Sequence, residues 1–263
     1  MGTIRVEREA GLVTITLDRP EKKNAIDAET WNALERTLAE LALDPEARAV
    51  VLTGAGGNFS AGADLSGSKS GIGLTGRPVQ PIVSEMRVVG EIVLRLATLP
   101  KPTLAVVDGV CVGVAMGLAL ACDLVLASDR ARFSEIFAKR GLALDGGTSW
   151  LLPRRIGLHK AKELAFFADF VDAKEAEAIG LVNKVVPAAE LDAAAAEWGR
   201  RLAAGPTLAL SLSKRLLDAA ASVTLSQALE DEARCQHITY GSQDMREGFA
   251  AYLERRDPRF TGC

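Results

Sequence analysis

Two glycine-containing turns in this sequence have the residue types needed to bind an anionic oxygen through the peptide backbone. The first is Phe59 to Leu65 (Phe-Ser-Ala-Gly-Ala-Asp-Leu), which follows the apolar run 49–53 and a glycine-rich stretch. The second is the glycine-spaced segment 108–117. Each pattern predicts a strand that enters a tight turn and then a helix, which leaves backbone N–H groups unpaired. Two such turns aimed at one point could stabilise the enolate oxygen of a thioester.

One carboxylate could move a proton beside such a site, and Asp145 is a carboxylate with apolar neighbours in the sequence. It lies in the run Leu142 to Gly147, and Phe137, Leu142 and Leu144 could form an apolar wall around it. Burial among apolar side chains raises the pKa of a carboxylic acid, so that one group can act first as base and then as acid. The residues alone leave an alternative open, in which Asp145 caps the helix that begins near Ser149.

Composition and motifs disfavour several other classes of protein. The chain has 263 residues, a formal net charge of −3 and mixed acidic and basic residues, so we expect no nucleic-acid face. The longest uncharged apolar stretch, Gly109 to Cys122, is shorter than the roughly 20 residues that span a bilayer, and the N-terminus lacks an apolar signal core. We therefore expect no membrane partner. The four cysteines form no Cys-x-x-Cys pair, which predicts no metal site and a reducing, cytoplasmic location. No Gly-x-Ser-x-Gly motif supports a serine hydrolase.

The hydrophobic patterns predict alternating strands and helices. Strands are expected at Leu12–Leu17, Val50–Thr53 and Thr103–Val107, and amphipathic helices from Asp27 to about Ala42 and from Ser84 to Leu99. Residues 65–81 are rich in Gly, Ser and Pro and predict a mobile loop. The loose recurrence of strand, strand and helix is typical of stacked ββα turns.

Several motifs, in this order, resemble those of the crotonase family, the enoyl-CoA hydratase/isomerase superfamily. The matching segments are Leu17-Asp18-Arg19-Pro20 with Asn24-Ala25, Phe59 to Leu65, Lys101-Pro102 through Asp108-Gly109, Gly113, Ala121-Cys122-Asp123, Gly141 to Pro153, Gly180-Leu181-Val182 and Asp257-Pro258-Arg259-Phe260.

The resemblance implies an α/β fold: a crotonase-like spiral of ββα units in residues 1–195 and a C-terminal helical trimerisation region in residues 196–263. It implies a homotrimer or a dimer of trimers. It also implies an acyl-CoA substrate, with CoA as part of the substrate and no metal or redox cofactor.

By position, the resemblance places the oxyanion-hole N–H groups at Ala61 and Val114, and at residue 114 the family often has Gly. Asp64 is interpreted first as a turn or cap residue. The residues expected to contact the acyl-CoA are Lys22 (beside Lys23, near the CoA phosphates), Ala63, Asp64, Leu65, Phe137 and Leu142.

The departures from the family pattern favour an isomerase. Typical hydratases of the family have two glutamates, and this chain has Gly117 and Phe137 at those positions. Glu135 is two positions from the second and is interpreted mainly as a charge at a helix start. Asp145 matches a position where some members, including a phenylacetate-pathway branch, have the acidic residue of an isomerase. The alternatives are a hydratase that uses Asp145 with Glu135, and an acyl-CoA-binding homologue without catalytic activity.

Overall fold

The computed structural model describes residues 2–66 and 82–263. The loop predicted at 65–81 therefore lies, beyond Ser66, outside the described residues. The strands of the described chain are β1 (Ile4–Glu9), β2 (Leu12–Leu17), β3 (Ala49–Gly54), β4 (Thr103–Val107), β5 (Val110–Val112), β6 (Leu124–Ser128), β7 (Arg132–Ser134), β8 (Val171–Asp172) and β9 (Lys184–Val186).

Within the described residues these strands form two sheets. The larger sheet has the order β1-β2-β3-β4-β6-β9, and the smaller has the order β5-β7-β8. The β1–β2 hairpin is antiparallel and turns at Ala10 and Gly11, both of which have positive φ. The other strands of the larger sheet are parallel, as expected for strands joined through helices.

Helices follow the strands and continue to the C-terminus. They are α1 (Ala28–Leu43), α2 (Ile82–Ala97), α3 (Val114–Ala121), α4 (Thr148–Ile156), α5 (Leu158–Phe167), α6 (Ala173–Ala178), α7 (Leu191–Ala204), α8 (Thr207–Ala219), α9 (Leu225–Tyr240) and α10 (Gln243–Glu254). The side chain of Asp27 accepts a hydrogen bond from the Thr30 N–H, as predicted for the cap of α1. The α/β class with C-terminal helices is confirmed.

Both faces of the larger sheet are buried, which explains why its central strands are almost continuously apolar. On β3, Val50 and Leu52 belong to the main core beneath α1, α2 and α3. Val51 of the same strand faces a second cluster that includes Trp198 and Leu202 of α7. The helix α7 thus covers the face of the sheet opposite to α1. The predicted division between residues 195 and 196 falls inside α7, and it stays a prediction.

Two buried or half-buried polar side chains attach the last residues to the rest of the protein. Asp244, which is buried, accepts hydrogen bonds from the N–H groups of Thr261 and Gly262 at 2.6 and 2.8 Å. Arg48 donates to the carbonyl oxygens of Gly205 and Phe260 at 2.7 and 2.9 Å. Among the described helices, none is long and apolar enough to cross a membrane.

Candidate active site

The two glycine-containing turns lie side by side in the fold. Ser60 forms an isolated parallel bridge with Cys111, in which the Ser60 N–H donates to the Val110 carbonyl at 2.9 Å and the Val112 N–H donates to the Ser60 carbonyl at 3.1 Å. A Cβ atom added to Gly62 would lie 2.7 Å from the Val112 carbonyl oxygen. Only glycine allows this approach, and the approach brings the first turn against the start of α3.

The backbone N–H groups of the first turn differ in their availability. The Ala61 N–H, which the sequence analysis selected, donates to the Lys23 carbonyl at 2.9 Å. The Ile26 N–H donates to the Gly62 carbonyl at 2.8 Å, as part of a parallel bridge between Ile26 and Ala63. In such a bridge the N–H of Ala63 points away from Ile26. It has no hydrogen-bond acceptor among the described residues, so Ala63 is the donor in this turn that is available to a ligand.

The second turn presents the N–H of Val114. Gly113 adopts φ 58° and ψ −129° immediately before α3, and its N–H donates to the Ser134 carbonyl at 2.9 Å. Val114 is the first residue of α3, so its N–H has no acceptor within the helix, and none is found elsewhere in the described chain. The Val114 side chain is buried and would lie 2.8 Å from a Cβ added to Gly146. The position therefore tolerates valine, because the side chain packs under the loop at Gly146 and the backbone has no positive φ.

The Asp145 loop packs directly on α3. A Cβ atom added to Gly117 would lie 2.1 Å from the Gly146 carbonyl oxygen. The backbone of Gly146 therefore occupies the space that a side chain at residue 117 would need. This contact holds Asp145, the preceding residue, close to the N-terminal half of α3.

Asp145 does not cap α4. The cap position is Gly147, which provides no side-chain hydrogen bond. The carbonyl oxygen of Asp145 accepts from the N–H and the hydroxyl of Thr148, at 3.1 and 3.0 Å. Its carboxyl Oδ1 is buried and has no hydrogen-bond partner among the described residues. Burial raises the pKa of Asp145 to about 6.

Glu135 is completely buried, which corrects its interpretation as a charge at a helix start. It precedes the short 3-10 helix Ile136–Arg140 but makes no capping hydrogen bond to it. Neither carboxyl oxygen of Glu135 has a partner in the described part of the chain. Burial raises its pKa to about 8; the Thr148 hydroxyl opposes this effect, and the charge of Asp145 adds to it. The single proton of the Thr148 hydroxyl is donated to the Asp145 carbonyl, so Glu135 receives no hydrogen bond from it.

The apolar residues predicted around the site have different environments. Phe137 is buried, and its ring would lie 3.7 Å from a Cβ atom added to Gly113, which places it beside the start of α3. Leu142 and Leu65 are exposed, with 58% and 55% of their surface accessible. A cavity of about 460 Å³ borders Gly147. Its apolar lining comes from Val93, Leu94, Ala97, Leu120, Trp150 and Leu151.

Asp64 has the environment of a residue that fixes a turn. It accepts hydrogen bonds from the N–H and hydroxyl of Ser66 and forms an ion pair with Arg19 at 2.9 Å. The Ser66 hydrogen bonds, followed by the Arg19 guanidinium, lower the pKa of Asp64 to about 2. A carboxylate so acidic is a poor proton acceptor. Lys22 and Lys23 are exposed on the loop before Asn24, and neither forms an ion pair with a described residue.

Two buried polar side chains, Ser60 and Asn24, build the first turn; both lie in the matching segments, but no role was predicted for them. The Ser60 hydroxyl donates to the Asn24 carbonyl at 2.7 Å and accepts from the Gly62 N–H at 3.1 Å. The Asn24 amide donates to the carbonyls of Ala55 and Asn58 at 2.8 and 2.7 Å. No spacing rule marks these residues, because their partners are distant backbone atoms. In the described residues, no three His, Cys, Asp or Glu side chains are grouped to hold a metal ion.

Comparisons with known proteins agree with this architecture. Residues 7–263 match the family model described as enoyl-CoA hydratase/isomerase. The 1,2-epoxyphenylacetyl-CoA isomerase of Escherichia coli is 38% identical over 254 residues, covering 97% of this chain and 96% of that protein. A Rhodobacter capsulatus protein named "Probable enoyl-CoA hydratase" is 38% identical over 262 residues, covering 99% and 98% of the two chains. The crystal structure of enoyl-CoA hydratase from Bacillus anthracis has a TM-score of 0.92 at 28% identity, covering 99% and 100% of the two chains.

Proposed function

The chain belongs to the enoyl-CoA hydratase/isomerase family, and from this premise we propose that it is an acyl-CoA isomerase that works through a thioester enolate. Relatives whose names describe reactions of CoA thioesters support an acyl-CoA enzyme of the crotonase superfamily. The partly buried carboxyl of Asp145, whose Oδ1 has no hydrogen-bond partner among the described residues, is the observation that carries the proposal of isomerisation.

The N–H groups of Ala63 and Val114 form the proposed oxyanion hole. Both lack acceptors among the described residues, and the bridge between Ser60 and Cys111 brings their turns together. Ala63 takes the place first given to Ala61, whose N–H is engaged by Lys23. Donors fixed in the backbone stabilise the charge that develops on the thioester oxygen without reorganisation.

Asp145 is the proposed acid and base. With a pKa of about 6 it is mostly ionised at pH 7, so it can remove a proton from the carbon next to the thioester. The electron pair of that C–H bond passes into the conjugated carbonyl and gives a dienolate. The protonated Asp145 then returns the proton to the far carbon of the dienolate, which moves the double bond and restores the carboxylate.

The bound acyl-CoA is proposed to extend in two directions from these groups. Lys22 and Lys23 are exposed, and the Lys23 carbonyl accepts the hydrogen bond from the Ala61 N–H of the first turn. Their ammonium groups are suited to the CoA phosphates. The cavity beside Gly147 has the volume, about 460 Å³, of a small-molecule pocket and a mainly apolar lining, in which Asp123, Arg155 and Asp218 are the charged residues. We assign the acyl group to this cavity, with Phe137 closing the side of the site next to Gly113. The proposed reaction needs no metal or redox cofactor.

Hydrogen exchange in deuterated water tests the proposal. The purified protein is incubated with 3-enoyl-CoA and 2-enoyl-CoA esters, and deuterium beside the thioester and migration of the double bond are followed by mass spectrometry. Asp145→Asn should lower the rate by about 10²–10⁴-fold, the usual contribution of a general acid or base, with unchanged affinity for a saturated acyl-CoA. Full activity in Asp145→Asn would overturn the assignment.

A hydratase is the second candidate function, and the shared burial of Glu135 and Asp145 supports it. Two carboxyl groups could hold and activate a water molecule, as typical hydratases do with two glutamates. This candidate predicts formation of 3-hydroxyacyl-CoA from 2-enoyl-CoA. Absence of that product across chain lengths excludes it. Binding of acyl-CoA esters without exchange, migration or hydration would favour the homologue without catalytic activity.

A further inference from the structure

Glu135 is joined through the backbone of Ser134 to the second turn of the proposed oxyanion hole, and no step of the proposed isomerisation uses it. It directly follows Ser134, whose carbonyl accepts the hydrogen bond from the Gly113 N–H at 2.9 Å. The backbone of Glu135 is therefore adjacent to the residue that precedes Val114. Its side chain has 0% exposure, and both carboxyl oxygens lack hydrogen-bond partners among the described residues.

An unpaired carboxylate ion is costly in such a place, because burial removes water without supplying a counter-charge. The titratable groups whose charges interact with Glu135 are Asp145, from the loop before α4, and Cys111, from β5. Burial raises the pKa of the Cys111 thiol well above its ordinary range, so this group stays neutral. No described residue forms an ion pair with Glu135, and the neighbouring Thr148 hydroxyl is directed to a carbonyl.

We propose that Glu135 is a positioning residue that works as a neutral acid: its bound proton keeps a single negative charge, that of Asp145, beside the oxyanion hole. This inference rests on the proposed role of Asp145. When Glu135 ionises, the site acquires a second negative charge next to the oxygen on which the enolate charge must develop. The second charge opposes enolate formation, so ionisation of Glu135 stops the reaction.

The different environments of the two carboxyl groups cause them to ionise at different pH values. The pKa of Asp145 is about 6 and that of Glu135 is about 8, so near pH 7 the pair holds one proton. Because the two groups interact, the observed values belong to the pair. The dependence of kcat/KM on pH should therefore be bell-shaped, with an acidic limb from ionisation of Asp145 and a basic limb from ionisation of Glu135.

Glu135→Gln tests this inference, because glutamine keeps the size of the side chain and cannot ionise. We expect the variant to keep activity at pH 7 within a few-fold and to lose the basic limb. From pH 7 to pH 9 the wild type should lose activity about tenfold, since one pH unit above a pKa leaves about a tenth of the protonated form. The variant should not show this loss. Glu163→Gln, which removes an exposed carboxylate on α5, should keep the basic limb. A basic limb unchanged in Glu135→Gln, or a variant that folds but is inactive at every pH, overturns the proposal.

A spectroscopic measurement gives a readout that does not depend on turnover. The carbonyl stretch of a protonated carboxylic acid is followed by infrared difference spectroscopy while the ligand-free protein is titrated. A band that disappears near pH 8 in the wild type should be absent from Glu135→Gln, and its midpoint should fall in Asp145→Asn because a neighbouring negative charge is lost. No such band near neutral pH contradicts the neutral Glu135. If Asp145→Asn is fully active while the band titrates as expected, the proposed function fails and the protonation of Glu135 stands.

Discussion

Asp145 and Glu135 carry the same functional group, and their surroundings give them different protonation states near neutral pH. Asp145 is partly buried and lies in a glycine-rich loop, so its charged form keeps some solvation. Glu135 has no exposed surface and no hydrogen-bond partner among the described residues, so its charged form is strongly disfavoured. Unequal burial thus separates the pKa values of the two carboxyl groups, as in other sites where one carboxyl group is the acid and the other the base.

The cost of burying Glu135 should be visible in the stability of the protein. Its pKa rises from an ordinary value of 4.5 to about 8 in the folded state, so the folded state binds this proton more tightly than the unfolded state. The stabilising contribution of the proton is fully present below pH 4.5 and is lost as the pH rises through 8. Since a tenfold change in proton affinity corresponds to about 1.4 kcal/mol, the loss is on the order of 5 kcal/mol.

Glu135→Gln should therefore become more stable relative to the wild type as the pH rises. Urea unfolding between pH 5 and pH 9 measures the difference in the free energy of unfolding. We expect this difference to grow in favour of the variant up to about pH 8 and then to level off. Glu163→Gln serves as the control, because its carboxylate is exposed, and its difference from the wild type should change little. A difference that is independent of pH in Glu135→Gln would show that Glu135 is charged in the folded protein.

At the scale of elements, the contact between α3 and the Asp145 loop decides which side chains the site can hold. Gly117 lies within α3, where alanine would normally be preferred by about 1 kcal/mol. The Gly146 carbonyl oxygen would lie 2.1 Å from a Cβ at this position. Gly117→Glu should therefore fail to restore a hydratase glutamate, because the side chain has no space unless the loop moves.

Gly117→Ala isolates this contact with one methyl group. We expect a loss of about 1–3 kcal/mol, as for other overpacked positions, and a fall in isomerase activity because the loop that carries Asp145 is displaced. Gly90→Ala in α2 is the matched control for stability, since no described residue lies within 4 Å of its added Cβ and a helical Gly→Ala change stabilises by about 0.5–1 kcal/mol. Thermal unfolding and initial rates measure both effects. A more stable and fully active Gly117→Ala would contradict the proposed tight contact.

The elements that the sequence predicted well have local causes. The helix α1 was recognisable from its apolar face and from Asp27, whose cap needs only the residues that follow it. The strand β2 was recognisable from alternation alone. The short strands β5 and β8 were missed, because two or three residues carry no readable period.

The details of the site depend on contacts between distant segments, and no pattern in the sequence predicts those contacts. The choice between Ala61 and Ala63 follows from pairing with Lys23 and Ile26 on another loop. The burial of Glu135 follows from the pairing of β7 with β5 and from the approach of Thr148, the first residue of α4. The spacing of residues along the sequence indicates neither the choice of donor nor the burial of Glu135. Asp145 was found because the resemblance identified its position.

In the described residues, the C-terminal helices carry one large group of exposed apolar side chains, and a smaller group lies on and after α5 (Leu158, Phe166, Phe167 and Phe170). The larger exposed apolar side chains of α8, α9 and α10 are Leu217, Leu225, Leu229, Ile238, Tyr240, Phe249, Tyr252 and Leu253. A cavity of about 380 Å³ opens on this region, lined in part by Phe249 and Tyr252. Exposed apolar side chains grouped on neighbouring helices are typical of protein interfaces, and a second copy of the chain is the partner that the resemblance implied.

We therefore predict that the protein is a trimer or a dimer of trimers in solution, assembled through these helices. Sedimentation velocity should give three or six times the protomer mass of 27.8 kDa. Phe249→Glu places a charge in the apolar patch, and because an unpaired charge in an interface is costly, it should shift the protein towards smaller species. Leu43→Glu changes a side chain that is 87% exposed on α1, far along the chain from these helices, and should leave the mass unchanged. A wild-type protein that sediments as a monomer at micromolar concentration, or a Phe249→Glu variant with the wild-type mass, would argue against assembly through this surface.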